Sequence, residues 1–334
     1  MDFTKIAIIH LNQIGDLLFS LPLLKALRDN YPNAIIHSIL KPNLKGLLSD
    51  SPYVDDSILR GGTLADTWSL LKTVRKHRYD LLLSLSRSEE CLALTALSRA
   101  GVKAGFAHFP WDFSLAVKET VEGHNSWYNN RKLLNRLNIK VTKNDYVGLL
   151  QFHTDDPGLA LPQHFVVISP GASRRRLMKA WGHENFADLI ILLMQHYHLT
   201  PVLIGGKDNQ EYNEKIIAAV RRKDRNTTRL ILNLTEASLP SLSLIIKNAD
   251  LFVGIDSGFM HIASSMDVPL VGLFGPTDPV YVGPQNKNSI VVREESLECI
   301  PCYLKPCEHR ACMSKLPVST VFQACEQLLN KSSC

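Results

Sequence analysis

The sequence predicts an α/β protein built from two doubly wound domains, each around a mostly parallel sheet. Three observations carry that expectation. Apolar runs of four to six residues alternate with amphipathic stretches, the pattern of parallel strands covered on both faces by helices. The alternation occurs twice, first from Ile6 to Asn138 and again from Phe165 to Phe274. The segment 153–163 between the two series holds two Pro, one Gly and two Asp, the composition of a linker. With 334 residues the chain has room for two domains of roughly 100–200 residues each. The boundaries read as an N-terminal domain over 1–155, a C-terminal domain over 160–315, and a last helix over 316–334 placed to pack back on the N-terminal domain. In such sheets ligands bind beyond the carboxyl ends of the strands, so two facing domains are expected to enclose a cleft.

The elements follow in order. Ile6 to Leu11 reads as a strand, Asn12 to Asp16 as a polar turn, and Leu17, Leu21, Leu24 and Leu27 recur at helical spacing until Tyr31-Pro32 ends the helix. Pro22 fits only near a helix start. A strand over Ala34–Leu40, a helix over Trp68–Arg78, a strand over Asp80–Leu85 and a helix over Ser126–Asn138 complete the first series. The second opens with the strand Phe165–Ile168 and the loop Ser169–Ser173. It continues with a helix over Glu184–Tyr197, whose Phe186, Leu189, Ile190 and Leu193 share a face. Then come the strand Pro201–Ile204, the turn Gly205-Gly206, and a helix to about Arg222. The strand Leu230–Leu234, the helix Leu239–Lys247 and the strand Leu251–Ile255 follow. A short helix after Asp256-Ser257-Gly258 and the strand Pro269–Phe274 close the series.

Composition narrows the function. Charged residues are 21% and apolar residues 45%, ordinary for a globular chain. A formal charge of +5 is too small to point to nucleic acid as a partner. Seven Cys is an odd count, against a fully paired disulfide framework. No stretch reaches the roughly 18 apolar residues of a membrane span, and the N-terminal run meets His10, Asn12 and Asp16 without a cleavage site. A cytoplasmic location is expected. There is no G-x-G-x-x-G after the first strand, no P-loop, no H-E-x-x-H and no G-x-S-x-G. Gly254-Ile255-Asp256-Ser257-Gly258 has Asp where a hydrolase elbow needs its Ser. No D-x-D triplet is present to chelate a metal-bound diphosphate.

Four constellations remain. Gly15-Asp16 opens a helix after the first strand, where Gly15 permits close backbone approach and the Asp16 carboxylate either takes a proton from a hydroxyl or caps the helix. Gly171-Ala172-Ser173, followed by three Arg, Lys179 and Trp181, offers backbone N–H groups and a Lys point charge to a phosphate, or is a solvated basic loop. Asp256-Ser257-Gly258 with His261 reads as a helix N-terminus that meets an anion, or as a capped core helix with a satisfied His. Cys299, Cys302, Cys307 and Cys312 are compatible with a structural zinc, with free thiols, or with a redox-labile disulfide.

Taken together, these loops resemble glycosyltransferase family 9, the ADP-heptose:lipopolysaccharide heptosyltransferases. The resemblance rests on Ile14–Pro22, on Ser169–Ser173 with Lys179 and Trp181, on Ile204–Asp208, and on Asp256–His261 followed by Leu273–Thr277. It spans residues 5 to 330. It implies the GT-B fold, two Rossmann-like domains, and inverting transfer of a heptose from ADP-heptose to a hydroxyl of a lipopolysaccharide inner-core acceptor. By position, Asp16 resembles the family's general base, with Gly15 beside it on the acceptor side. Lys179 is expected to stabilise the leaving diphosphate. Gly171, Ala172, Ser173, Lys179, Asp208, Ala237, Asp256, Ser257, Gly258 and His261 fall where the family binds its donor. No cofactor is required. The lipid A-linked acceptor implies peripheral contact with the inner membrane, with Arg60, Lys72, Arg75, Lys76 and Arg99 available for its anionic groups. The Arg-Arg-Arg-Leu-Met stretch and Gly182 depart from the family's Lys-Arg-Trp-Pro wording, and the Cys cluster is not part of its pattern. Two alternatives stay open: a GT-B transferase of another nucleotide sugar, and a non-catalytic binding protein with a Cys-rich metal site.

Overall fold

The computed structural model describes residues 2–171, 178–224, 230–303 and 307–332. It divides into two compact units, Met1–His153 and Thr154–Cys334, so the division falls at the first residues of the Pro- and Asp-containing linker.

The first unit runs β1 (Lys5–Ile9), α1 (Ile14–Leu18), α2 (Leu21–Asn30), β2 (Ile35–Leu40), β3 (Asp56–Leu59), α3 (Leu64–His77), β4 (Leu81–Ser84), α4 (Glu89–Leu97), β5 (Val102–Phe106), β6 (Val117–Glu119) and α5 (Ser126–Arg136). Its six strands lie in the order β3-β2-β1-β4-β5-β6, all parallel. The apolar runs Ile6–Ile9 and Leu81–Leu83 are fully buried, as central strands covered on both faces must be. The helix expected over the Leu17–Leu27 repeat is two helices. Ser20 stands at the N-cap position of the second without a side-chain capping bond, and Pro22 sits in its first turn, where a missing N–H leaves nothing unpaired. The Ser20 hydroxyl donates to Leu17 O at 2.6 Å, and His10 Nδ1 lies 3.0 Å from that hydroxyl. Since the serine proton is committed to Leu17, His10 donates from Nδ1 and accepts from Ser38 Oγ at Nε2, 3.0 Å away.

The second unit runs β7 (Phe165–Ser169), α6 (His183–Tyr197), β8 (Thr200–Leu203), α7 (Gln210–Lys223), β9 (Leu232–Asn233), α8 (Leu239–Lys247), β10 (Leu251–Ile255), α9 (Gly258–Ser265), β11 (Leu270–Phe274), α10 (Pro279–Val282), β12 (Ser289–Arg293), α11 (Ala311–Ser314) and α12 (Val318–Ser332). Its sheet order is β12-β11-β10-β7-β8-β9, again all parallel. Each unit therefore has the strand order of a doubly wound Rossmann-like sheet, whose direction of winding reverses between two central strands. Trp181 is a core residue. It is 1% exposed, donates from Nε1 to Leu316 O at 2.9 Å and meets Phe186 edge-on at 4.9 Å. The last helix was expected to pack back on the N-terminal domain. Instead Val321, Ala324, Cys325 and Leu328 join the second unit's own core, against α6 and strands β10 to β12. The physical reason is an apolar face wide enough to cover one side of that sheet.

The sequence did not reveal β3, α4, β5, β6 or β12. In α4 the neighbours Cys91, Leu92, Leu94 and Thr95 are all buried, which erases the single-face period. Most of β12 is half-buried, so its apolar run is short. Among the described residues no helix is long and apolar enough to cross a membrane.

Candidate active site

In the second unit, β7 and β10 lie side by side where the winding reverses, and the loops that follow them carry most of the singled-out residues. The two strands approach closely at Gly254. A Cβ there would lie 2.9 Å from Ser169 O, so only glycine fits. Beyond β10, the buried Asp256 Oδ2 accepts from Thr277 Oγ1 at 2.7 Å and from the ammonium of Lys179, which also reaches Asp256 O at 3.3 Å. Lys179 and Asp256 are 5% and 8% exposed, so this is a buried ion pair. The free point charge expected of Lys179 is thus already matched by Asp256. His261, one turn into α9, is buried beside this pair. Burial lowers its pKa to about 4; the Asp256 carboxylate opposes that shift, and the Lys179 ammonium adds to it. His261 is therefore neutral at neutral pH.

Ser257 occupies the N-cap position of α9 in an extended conformation, with φ −150° and ψ 170°, but its side chain caps nothing. Among the described residues its buried Oγ has no hydrogen-bond partner. An N-cap serine normally accepts from the first turn of its helix, so an unbonded hydroxyl here is a group oriented toward something other than its own helix. Gly258 begins α9 and leaves the first-turn N–H groups open to close approach.

The loops after β7 and β8 are joined by a residue that sequence reasoning missed. Asn209 is 7% exposed, and its Oδ1 accepts from Gly206 N at 3.2 Å. A Cβ on Gly171 would lie 2.0 Å from Asn209 Nδ2, and one on Gly205 would lie 2.6 Å from Asn209 Cβ. Both glycines are thus required by one asparagine packed across two loops. The Gly205-Gly206-x-x-Asn spacing was the only available signal. Asp208 is exposed in the same loop. Glu211, the other acid near it, pairs with Lys215 at 2.7 Å. Ala237 is half-buried just ahead of α8, whose N-cap Ser238 accepts from Ser241 N. Ala172 and Ser173 lie outside the described residues.

In the first unit Gly15 and Asp16 are half-buried within α1. The N-cap of that helix is Gln13, so the cap reading of Asp16 does not hold; Asp16 stands in the first turn, where an acid suits the helix dipole. Asp16 Oδ1 accepts from Ser126 Oγ at 2.9 Å, and Ser126 is the first residue of α5. Among the basic residues offered for the acceptor, Arg60 is 1% exposed and already engaged. It donates to Glu90 Oε2 at 2.8 Å and to Asn12 Oδ1. Lys72, Arg75, Lys76 and Arg99 are exposed.

The four cysteines of the C-terminal cluster share one region. Cys312 is buried, and its thiol is pushed up by burial and by the neighbouring thiols of Cys302, Cys299 and Cys307. Cys307 Sγ accepts from Arg310 N at 3.3 Å. Among the described residues, however, no three His, Cys, Asp or Glu side chains form a group that could hold a metal ion, so the zinc reading finds no assembled ligand set.

Comparison with known proteins agrees with this architecture. The pattern of glycosyltransferase family 9 (heptosyltransferase) matches residues 67–312. Lipopolysaccharide heptosyltransferase 3 of Escherichia coli K12 is 27% identical over 338 residues, covering 94% of this chain and 95% of the relative. The structure of E. coli ADP-heptose lipopolysaccharide heptosyltransferase II superposes with a TM-score of 0.84 at 21% identity, over 99% of this chain and 100% of that one. E. coli heptosyltransferase WaaC, solved with ADP, superposes with a TM-score of 0.74 at 20% identity, over 97% and 99%. The fold is GT-B, and the chain is a glycosyltransferase that belongs to family 9, the heptosyltransferases.

Proposed function

We propose that the protein transfers a heptose from ADP-heptose to a hydroxyl of a lipopolysaccharide inner-core acceptor, with inversion by single displacement. The observation that carries this reading is the Ser257 hydroxyl, buried and, among the described residues, unbonded at the head of α9 beside the Asp256 loop. A hydroxyl donor set with first-turn N–H groups is a site for an anionic oxygen, here the donor diphosphate.

In the reaction the acceptor oxygen bonds to the anomeric carbon as the bond from that carbon to the diphosphate oxygen breaks, and ADP leaves with the electron pair. Asp16 takes the acceptor's proton, a contribution of roughly 10²–10⁴-fold. Ser257 and the N-terminus of α9 stabilise the charge growing on the diphosphate. Lys179 acts at one remove as a positioning residue: tied to Asp256, it fixes the β10–α9 loop and keeps that carboxylate from repelling the phosphates. Gly171 lets the backbone approach the diphosphate, and Asp208 and the Ala237 segment face the ribose and the adenine. Neutral His261 supports the neighbouring sugar without adding charge. The acceptor is anchored by lipid A, so the protein works at the cytoplasmic face of the inner membrane with peripheral contact.

The test is a transfer assay with ADP-heptose and inner-core acceptor, alongside thermal shifts with ADP, UDP and GDP. ADP at about 100 times its Kd should stabilise by roughly 2.7 kcal/mol. A preference for UDP, or no heptose transfer, overturns the donor assignment.

A further inference from the structure

The first unit holds a cavity of about 390 Å³, one of whose lining residues, Ser126, is hydrogen-bonded to Asp16. It opens where the first sheet reverses its winding, at the carboxyl ends of the central strands β1 and β4. Asn12 comes from the loop after β1, Ser86 and Arg87 from the loop after β4, Phe106 from the end of β5, and Ser126 and Asn129 from α5. The volume lies at the low end of the roughly 300–1,000 Å³ typical of small-ligand sites, room for one sugar residue with its substituents.

The walls are already ordered. Asn129 Nδ2 donates to Glu122 O at 3.0 Å and Asn125 O at 2.9 Å, while its Oδ1 accepts from Glu122 N at 2.8 Å. Asn12 is held by buried Arg60, which is itself paired with Glu90. Phe106 is buried and gives an apolar floor for sugar C–H groups. Arg87 is the exposed cation of the set. Ser126 belongs both to the cavity wall and to the carboxylate of Asp16, through its 2.9 Å hydrogen bond. A serine hydroxyl that donates to a carboxylate keeps its lone pairs for a second donor, so it links the two.

We infer that Ser126 is the positioning residue that aims Asp16 at the acceptor hydroxyl, and that Arg87 takes an anionic substituent of the acceptor sugar seated in this cavity. The substituent is a phosphate or a carboxylate, either of which a guanidinium binds through two parallel hydrogen bonds. The inference rests on the heptosyl-transfer reading above and adds to it the roles of Ser126 and Arg87.

The experiment compares the full-length wild type with Ser126→Ala, Ser126→Thr and Arg87→Gln, using ADP-heptose and an inner-core lipooligosaccharide acceptor. The same acceptor after enzymatic dephosphorylation forms a second arm. ADP-induced thermal shifts check folding and the donor site in every variant. Loss of a hydrogen bond to a charged group predicts a fall in kcat of roughly 10- to 100-fold for Ser126→Ala, with donor KM unchanged and most activity restored in Ser126→Thr. Arg87→Gln should raise acceptor KM roughly tenfold or more with kcat kept. If the substituent is a phosphate, dephosphorylation of the acceptor reproduces the Arg87→Gln effect and the two losses do not add; if it is a carboxylate, they are independent. A wild type that transfers heptose while Ser126→Ala keeps its kcat and Arg87→Gln keeps its acceptor KM overturns this inference alone. A wild type inert toward ADP-heptose overturns both it and the functional reading.

Discussion

Replacing Lys179 by Met tests whether its ammonium belongs to the protein's own framework rather than to the ligand. Met keeps the stem's volume and deletes the charge. Asp256, 8% exposed, then retains only the side-chain bond from Thr277 Oγ1 at 2.7 Å among the described residues and loses the partner that balances its ionised form. Removing one member of a buried ion pair costs about 3–5 kcal/mol, a large share of the roughly 5–15 kcal/mol that holds a domain together. The double variant Lys179→Met/Asp256→Asn leaves a neutral amide that still bonds Thr277, so it should be more stable than the sum of the single changes predicts, by roughly 1–3 kcal/mol. Hydrogen exchange read on the β10 peptide Leu251–Ile255 isolates the second unit from the first. At about 1.4 kcal/mol per factor of ten, the single variant should speed exchange from globally opening amides by more than 100-fold. Exchange at the wild-type rate, or single-variant costs that add to within about 0.5 kcal/mol in the double variant, would refute the argument.

Three further outcomes follow from the same geometry. Asp16→Asn should fold normally and lose roughly 10²–10⁴-fold in kcat, because the amide preserves the Ser126 contact but accepts no proton; wild-type turnover in this variant would remove Asp16 from the chemistry. Gly171→Ala forces a Cβ to within 2.0 Å of Asn209 Nδ2, so it should lower stability by about 1–3 kcal/mol and weaken ADP binding, with Gly171→Ala/Asn209→Ala partly relieving the loss in calorimetric titration. Acid should loosen both units. His10 and His261 have folded pKa values lowered to about 3 and about 4 from 6.5, so each contributes fully above pH 6.5, and that contribution is lost as pH falls toward the folded value. Urea unfolding followed between pH 6.5 and 4.5 should show a loss approaching about 1.4 kcal/mol per pH unit for each histidine; His10→Asn and His261→Asn should each remove only that residue's share, and an unchanged slope in both variants would refute the assignment.

How much of the site could be read from the chain depends on the residue. Asp256-Ser257-Gly258-x-x-His is a local motif, and local spacing alone places Ser257 at a helix start and His261 one turn later. Asp16 was legible as a carboxylate after the first strand, although the helix boundary that makes it a first-turn residue rather than a cap was not. Asn209 and Ser126 were invisible for a different reason. Each gains its role from a neighbour on a separate segment: Asn209 from Gly171, and Ser126 from Asp16, 110 residues away. Lys179 was legible as a cation near a phosphate loop, but its partner 77 residues on was not, and that partner alters what its charge does.

The sequence by itself determined the class of architecture. Buried parallel strands need unbroken apolar runs, and covering helices need a one-sided period, and both signals are local. Only the tertiary structure decided the strand orders, the place of the C-terminal helix and the pairing of Lys179 with Asp256. It also decided the cavity lined by Ser126. Each of these depends on contacts between distant segments, whose partners are selected by packing and desolvation of the folded chain rather than by the composition of either segment.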